Sequence, residues 1–119
     1  MGLYFKDNLI GYGGVVHISW EDRRAEVSFL LNQERMQSFE LYKKDFTHYL
    51  SLIKSLSLKQ LKLNKIFSET FAFRQRHISI LEDVDFKKEG VMKEHIFLNG
   101  RLVDSIIHGI MLLIILLLI

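Results

Sequence analysis

An amphipathic helix set between two groups of alternating segments is the feature that most constrains the fold of this chain. From Ser38 to Leu56 the apolar residues recur every three or four positions, which is the spacing of one helical face. Ser38 can cap the first turn, and charged residues such as Lys43 and Asp45 cover the outer face. The apolar stripe consists of Phe39, Tyr42, Phe46, Tyr49, Leu50, Ile53 and Leu56. The pattern therefore predicts one long helix that packs by a single face.

Three strands are predicted ahead of this helix. Leu3 to Ile18 contains a strand, a glycine-softened bend and a second strand, and Ala25 to Leu31 alternates apolar with polar residues as a third. Gly11, Gly13 and Gly14 lie where the second strand would otherwise run straight. Glycine in a strand indicates a bulge or a place where another group approaches the backbone closely.

A strand and a second helix are predicted after the long helix. Large apolar residues from Leu61 to Phe67 favour a fourth strand, and Phe71 to Val84 carries an apolar stripe with helical spacing. His77 lies on that stripe, and a histidine in such a place is more often a hydrogen-bonded core residue than a ligand.

A long hairpin is predicted at the end of the fold, with Lys87 to Leu98 and Arg101 to Leu112 as its strands. Asn99-Gly100 between them is a strong hairpin signal, because a type I′ turn needs positive φ at both central residues. The register of this hairpin places His95 opposite Asp104. The complete order is β-β-β-α-β-α-β-β, which predicts an α/β fold with a mixed sheet and two main helices.

Composition bounds the function. A chain of 119 residues, 49% hydrophobic and 25% charged, suits one folded domain, and its net charge of +2 gives no reason to expect nucleic acid as a partner. The lack of cysteine excludes disulfides, thiolate metal sites and a cysteine nucleophile. The histidines are not spaced as metal ligands, so no metal site is expected. Met1 to Asn8 does not resemble a signal peptide, so a cytoplasmic location is expected.

The chain ends in an uninterrupted run of ten apolar residues, Ile110 to Ile119. A helix that spans a bilayer needs about 20 such residues, so this run is too short. A buried strand with an overhanging apolar tail, a tail that associates with a membrane surface, and an artefactual end all stay open. We take residues 1–110 as the domain and residues 111–119 as the tail.

Several segments resemble the GNAT N-acetyltransferases, in the order in which that family carries them. Ile10 to Val16, followed by Arg24 to Leu31, is similar to strands 2 to 4 of the family, and Leu63 to Thr70 is similar to strand 5. The later segments look like helix 4 and the closing hairpin, and they are His77 to Leu81, Asp85 to Gly90 and Asp104 to Gly109. The resemblance is to the branch that acetylates ribosomal-protein N-termini and amino-sugar nucleotides. It implies a GNAT-like, mostly antiparallel sheet.

Members of that family carry a first strand and two helices ahead of their second strand, and these build much of the acceptor pocket. The present chain starts at the second strand, so we expect a partial domain that lacks those elements. The resemblance implies an enzyme that moves an acetyl group from acetyl-CoA to a primary amine by direct attack. A protein N-terminus, an amino sugar or a small amine would be the acceptor. The alternative is a truncated, non-catalytic GNAT-like module that forms a homodimer or binds a partner through uncovered apolar surface.

The resemblance also implies which residues hold acetyl-CoA. Backbone groups of Phe29, Leu30 and Leu31 would bind the pantetheine arm and the thioester oxygen, and the alternative is that these are plain core-strand residues. Arg74 or Gln75 lies near the place of the family's CoA-contacting asparagine, with an ordinary solvated side chain as the alternative.

The diphosphate of the coenzyme would rest on backbone N–H groups where the long helix begins. Gln33 matches the leading residue of the family's loop, Gln37 lies within it, and Ser38 matches its last small residue. Met36 stands where the family has a glycine. Arg35 is expected either to reach a phosphate or to be a solvated surface arginine.

Two carboxylates are candidates for the general base. Glu26 is the first, acting directly or through a water, and its alternative role is a surface ion pair with Arg23 or Arg24. Glu69 is the second, and its alternative role is to cap the next helix.

The proton donor to the departing thiolate is a tyrosine in many members of the family. The matching residue here is Leu81, which has no proton to give. Ser79 or a water is expected to take over that role.

Overall fold

One six-stranded sheet organises the computed structural model, which describes residues 2–5, 8–31 and 33–112. The strands are β1 (Gly2–Phe5), β2 (Asn8–Ser19), β3 (Arg24–Leu31), β4 (Lys65–Phe71), β5 (Lys87–Leu98) and β6 (Arg101–Met111). Their order across the sheet is β1-β2-β3-β4-β6-β5. Only β3 and β4 run parallel among these strands, so the predicted mixed, mostly antiparallel sheet is confirmed.

Helices connect the strands at two places. They are α1 (Gln33–Gln37), α2 (Phe39–Ser55), a π-helical turn (Leu56–Gln60) and α3 (Gln75–Asp83). The long helix predicted from the apolar stripe is therefore confirmed, and the Ser38 hydroxyl accepts from the N–H of Leu41 at its start. The short α1 and the π-helical turn add to the predicted order without changing it.

The core is one buried cluster that joins α2 and α3 to β3, β4 and β6. Tyr42, Phe46, Tyr49, Leu50 and Ile53 are buried along one side of α2. The rings of Phe46 and Tyr49 stack on Phe29 of β3, at centroid distances of 4.8 and 4.6 Å. Each such side chain contributes about 1.5–3 kcal/mol through burial. This packing fixes α2 across the sheet.

Gly13 is one of the three glycines predicted to admit a close neighbour, and it does so. A Cβ at Gly13 would lie 2.6 Å from the Tyr49 hydroxyl, whereas a Cβ at Gly14 would meet nothing within 4 Å. The Tyr49 hydroxyl donates to the carbonyl of Ser28, and the carbonyl of Gly14 lies 3.0 Å away. Burial raises the pKa of Tyr49, so the phenol stays a donor.

The predicted bounds of two elements were wrong. The fourth strand begins at Lys65 rather than Leu61, because the π-helical turn carries the chain further and the N–H of Leu63 still bonds to the carbonyl of Ser57. The second main helix begins at Gln75 rather than Phe71, since Phe71 is the last residue of β4. Large apolar residues favour a strand and a buried turn equally.

The hairpin turn is confirmed, because Asn99 and Gly100 have φ of 50° and 78°. The predicted pairing of His95 with Asp104 is wrong. A bulge between Met92 and Ile96 shifts the register, and Asp104 accepts from the backbone N–H of Glu94 at 2.8 Å instead. That hydrogen bond lowers the pKa of Asp104.

The chain leaves the sheet after β6. Met111 ends that strand, and the buried Leu112 donates its N–H to the carbonyl of Asn64 at 2.6 Å. Residues 113–119, which make up most of the predicted apolar tail, lie outside the described residues. Over the ranges that the structure describes, every helix is too short or too polar to cross a bilayer.

Candidate active site

A cleft opens in the middle of the sheet because β3 and β4 separate after a short paired stretch. The two strands pair at Arg24, Ala25 and Glu26 of β3 and then diverge, although β3 continues to Leu31 and β4 to Phe71. The gap has a volume of about 240 Å³. Past Glu26, β3 has no paired strand on the side of the gap, so backbone groups on that side can bond to a ligand, although the Ser28 carbonyl already accepts from the Tyr49 hydroxyl. Phe29 lines the gap, and Leu30 and Leu31 follow it on the diverging part of β3.

Glu26 lies at the point where the two strands separate. Its carboxylate is 2.7 Å from Nδ1 of His17, and its side chain is 23% exposed. His17 reaches it from a bulge in β2, where its φ is 50°. A left-handed conformation costs about 1–2 kcal/mol at a residue with a Cβ. The bulge thus holds an imidazole against a carboxylate at the edge of the cleft.

The predicted alternative for Glu26, an ion pair with Arg23 or Arg24, is wrong. Arg24 pairs with Asp22 at 3.0 Å, and Nε of Arg23 donates to the carbonyl of Lys62. Arg24 is held by the turn that joins β2 to β3, and Arg23 by the connection that precedes β4, so neither is the partner of Glu26.

Glu69 is the second carboxylate of the cleft. It accepts from the Ser105 hydroxyl at 2.9 Å, and Nε2 of His95 lies 3.5 Å from the same oxygen. The predicted alternative, a cap for the next helix, is wrong because Arg74 takes the capping position of α3. Glu26 and Glu69 also share a second groove of about 300 Å³ beside the cleft.

A buried chain of hydrogen bonds forms one wall of the cleft. Nη2 of Arg74 donates to the Tyr42 oxygen at 2.9 Å, and the Tyr42 hydroxyl is 2.5 Å from Nδ1 of His77. Burial, together with the positive charge of Arg74, lowers the pKa of His77 to about 3. The imidazole is therefore neutral at physiological pH. Burial also raises the pKa of Tyr42.

Sequence reasoning expected His77 to be a hydrogen-bonded core residue, and the structure buries it as expected. It did not identify His77 or Tyr42 as cleft residues. The sequence spacing of His77 and Leu81 could have identified His77 as a cleft residue, because residues four apart lie on the same face of a helix, one turn apart. Both side chains line the cleft. Ser79 was expected to serve here as a proton donor, but it is exposed on α3 and is not part of the cleft wall.

A wider cleft of about 420 Å³ continues from the first one. Arg74 and His77 line both, so the two spaces adjoin. The remaining walls of the wider cleft are Met36, Tyr42, Phe73, Gln75 and Arg76. Two arginines and several apolar groups therefore surround a space that opens beside the start of α2.

The segment that was expected to cradle a diphosphate has a different arrangement. Nε and Nη2 of Arg35 donate to the two carboxylate oxygens of Asp45 at 2.6 and 3.0 Å. The side chains of these residues are 14% and 9% exposed, so the expectation of a solvated surface arginine was wrong. The expectation that Arg35 reaches a phosphate stays a prediction, and in this structure its guanidinium is bonded to Asp45. Gln37 is exposed at the end of α1, while the side chain of Gln33 lies outside the described structure.

Solved structures share this fold. The chain matches a spermidine/spermine N-acetyltransferase SpeG from Vibrio cholerae, crystallised with manganese, at 26% identity, with a TM-score of 0.78 over 93% of this chain and 62% of that one. A chimera of Vibrio cholerae SpeG and hSSAT matches at 24% identity and a TM-score of 0.79, over 93% and 64%. A protein described as a probable acetyltransferase matches at 17% identity with a TM-score of 0.79, over 92% of this chain and 58% of that one.

The chain therefore spans about three fifths of the length of the solved structures it resembles. No curated protein sequence matches it. The family profile described as Acetyltransferase (GNAT) domain matches residues 1–107. Since that match covers most of the 119 residues, the chain belongs to the GNAT acetyltransferase family.

Proposed function

We propose that this chain carries the acetyl-CoA site and the proton acceptor of an N-acetyltransferase that acts on a primary amine. The observation that supports this most strongly is the gap between β3 and β4, where the two strands stop pairing beside a carboxylate and the space adjoins a cleft with two arginines. A narrow gap that leads to a cationic opening suits a ligand with a thin arm and a phosphate-bearing end.

The residues present fit acetyl-CoA, which would supply an acetyl group activated as a thioester. Backbone groups of Phe29, Leu30 and Leu31 would hold the pantetheine arm in the gap. Arg74 and Arg76 line the route to the wider cleft, and guanidinium groups bind phosphate oxygens in pairs. The guanidinium of Arg76 lies 5.3 Å above the ring of Phe39, which keeps it near the start of α2.

Glu26 is the proposed general base. It would take a proton from the acceptor's ammonium group, and the nitrogen would then form its bond to the acetyl carbon as the carbon–sulfur bond breaks. The electron pair of that bond leaves on sulfur, and the nitrogen gives up its second proton to water as the amide forms. His17 would hold the carboxylate at the cleft edge through their hydrogen bond. A positioned base of this kind contributes about 100- to 10,000-fold to the rate.

The acceptor is proposed to be a small amine with more than one positive charge. Glu26 and Glu69 face the same cleft and the same neighbouring groove, so one carboxylate can take a proton while the other binds a second ammonium group. The similar SpeG proteins are described as spermidine acetyltransferases, which supports the same class of acceptor.

Two measurements on the purified chain test the proposal. Acetyl-CoA should raise the melting temperature, because a ligand that binds only the folded state stabilises it. Radiolabelled acetyl-CoA with spermidine should then give acetylspermidine, while a polyol without an amine should give no acetylated product. A folded chain that neither binds acetyl-CoA nor transfers the label would contradict the proposal and support the non-catalytic module.

A further inference from the structure

The side chain of His77 is held in one tautomer by its neighbours. Nδ1 of His77 lies 2.5 Å from the Tyr42 hydroxyl and 3.4 Å from Nη2 of Arg74, and Arg74 also donates to the Tyr42 oxygen. Because a guanidinium can only donate, Nδ1 faces two donor groups. Nδ1 is then an acceptor, and a neutral imidazole must carry its hydrogen on Nε2. Burial and the nearby charge of Arg74 keep the ring neutral, with a pKa of about 3.

The Nε2–H group of His77 opens into the cleft. Within residues 2–5, 8–31 and 33–112, the buried side-chain nitrogens and oxygens without a partner are Ser57 Oγ and His108 Nδ1. Nε2 of His77 has no hydrogen bond in that part of the chain and is not among them, so it is accessible from the space that His77 lines. The ring stacks on Phe46 at 4.3 Å, which prevents it from turning away.

We propose that His77 is a catalytic residue whose Nε2–H group donates a hydrogen bond to the sulfur that departs as a thiolate, with Tyr42 as the residue that positions it. This rests on the proposed acetyl transfer. His77 lies one turn before Leu81 on the same face of α3, and Leu81 has no hydrogen to donate. The thiolate keeps its electron pair and later takes a proton from water, so the imidazole remains neutral throughout. A fixed neutral imidazole is an effective electrophile in a dry site.

Three forms of the protein test this role: wild type, His77→Phe and Tyr42→Phe. His77→Phe keeps a ring stacked on Phe46 and removes the hydrogen-bond donor. Tyr42→Phe keeps the imidazole but removes the hydroxyl beside Nδ1, so the tautomer of His77 is no longer fixed by that hydroxyl. In wild type, ¹⁵N NMR should show a neutral Nε2–H imidazole for His77. The affinity for CoA relative to desulfo-CoA, which lacks the sulfur, should fall about tenfold or more in His77→Phe, because hydrogen bonds to charged groups are strong.

The kinetic result should agree with the binding result. Acetyl-CoA should keep a similar KM in both variants while kcat falls, by about tenfold or more in His77→Phe and by less in Tyr42→Phe. If His77→Phe does not fold, the NMR tautomer and the Tyr42→Phe kinetics carry the test. The role of His77 is overturned if wild type has the Nδ1–H tautomer. It is also overturned if folded His77→Phe keeps the wild-type preference for CoA over desulfo-CoA. Neither result contradicts the proposed acetyl transfer. Failure of wild type to bind CoA overturns the proposed function as well.

Discussion

The gap between β3 and β4 and the segment Gln33–Ser38 would serve the same ligand, but they are built in different ways. The gap is made by backbone, since β3 and β4 diverge after Glu26 and no longer pair with each other. The segment depends on side chains. Met36 stands where the family resemblance implies a glycine, and Arg35 is held by Asp45 in a nearly buried ion pair.

This difference shows which parts of a binding site tolerate sequence change. Backbone donors in a parted sheet remain in place whatever the side chains are, provided that the core still fixes the strands. A phosphate cradle is lost when one glycine acquires a side chain or when a nearby arginine finds another partner. We therefore expect changes near the gap to have large effects and changes in the segment to have small ones.

The largest expected effect is a loss of stability in acid that originates at the wall of the gap. The pKa of His77 is about 3 in the folded chain against an ordinary value of 6.5, so the unfolded chain takes up a proton first. The stability due to the neutral ring is present above pH 6.5 and is lost as the pH falls toward 3, by roughly 5 kcal/mol in total. Urea unfolding measures the free energy of unfolding at about pH 7 and at about pH 4.5. Its decrease between the two pH values should be larger in wild type than in His77→Phe. Equal losses in the two proteins would contradict this.

Glu26→Gln tests the chemistry at the edge of the gap. The amide cannot take a proton, so kcat should fall by about 100-fold or more. The rise in melting temperature with acetyl-CoA should persist, because Glu26 is not proposed to bind the coenzyme. Glu21→Gln, in the exposed turn before β3, is the matched control and should keep full activity. Full activity in Glu26→Gln would show that Glu26 is not the general base, and Glu69 would be the remaining candidate.

Gly13→Ala tests whether the core fixes the strand next to the gap. The new Cβ would clash with the Ser28 carbonyl oxygen, so we expect a loss of about 1–3 kcal/mol in the free energy of unfolding. Gly14→Ala has open space around its Cβ and should change stability little. Chemical denaturation compares the two, and the comparison fails if both substitutions have the same effect.

Met36→Gly is expected to have the smallest effect and addresses the segment directly. Removal of the side chain should let the backbone approach a diphosphate, with a gain of about fivefold in acetyl-CoA affinity, equivalent to about 1 kcal/mol. Titration calorimetry measures this, with Met36→Leu as the control that keeps a bulky side chain. A weaker affinity in Met36→Gly would show that the coenzyme does not use this segment.

Local patterns in the sequence predicted the elements that depend on near neighbours. The stripe from Ser38 to Leu56 gave α2, and Asn99-Gly100 gave the hairpin turn with both φ values positive. The same patterns failed for Asp45, which was expected on the outer face of α2 and is instead buried against Arg35. Periodicity says which face of a helix is apolar, but it does not show that a short preceding helix will cover a polar position.

The candidate site could be predicted only in part, for a similar reason. The sequence and the family resemblance identified Glu26 and Glu69, and the structure brings both to one cleft. The resemblance also pointed to Ser79, which the structure leaves exposed on α3. The partners of Glu26 and Glu69 were missed, since His17 depends on a bulge in β2 and His95 on a bulge in β5. A bulge reverses the direction of a side chain without leaving a regular mark in the sequence.

The sequence by itself determined the kinds of elements, their order and the family, because these follow from hydrophobic periodicity, turn residues and motif order. Only the tertiary structure decided where β3 and β4 separate, which nitrogen of His77 carries a hydrogen, and that Arg35 is already bound. These properties depend on contacts between residues far apart in the chain, and a pattern of near neighbours contains no information about such contacts.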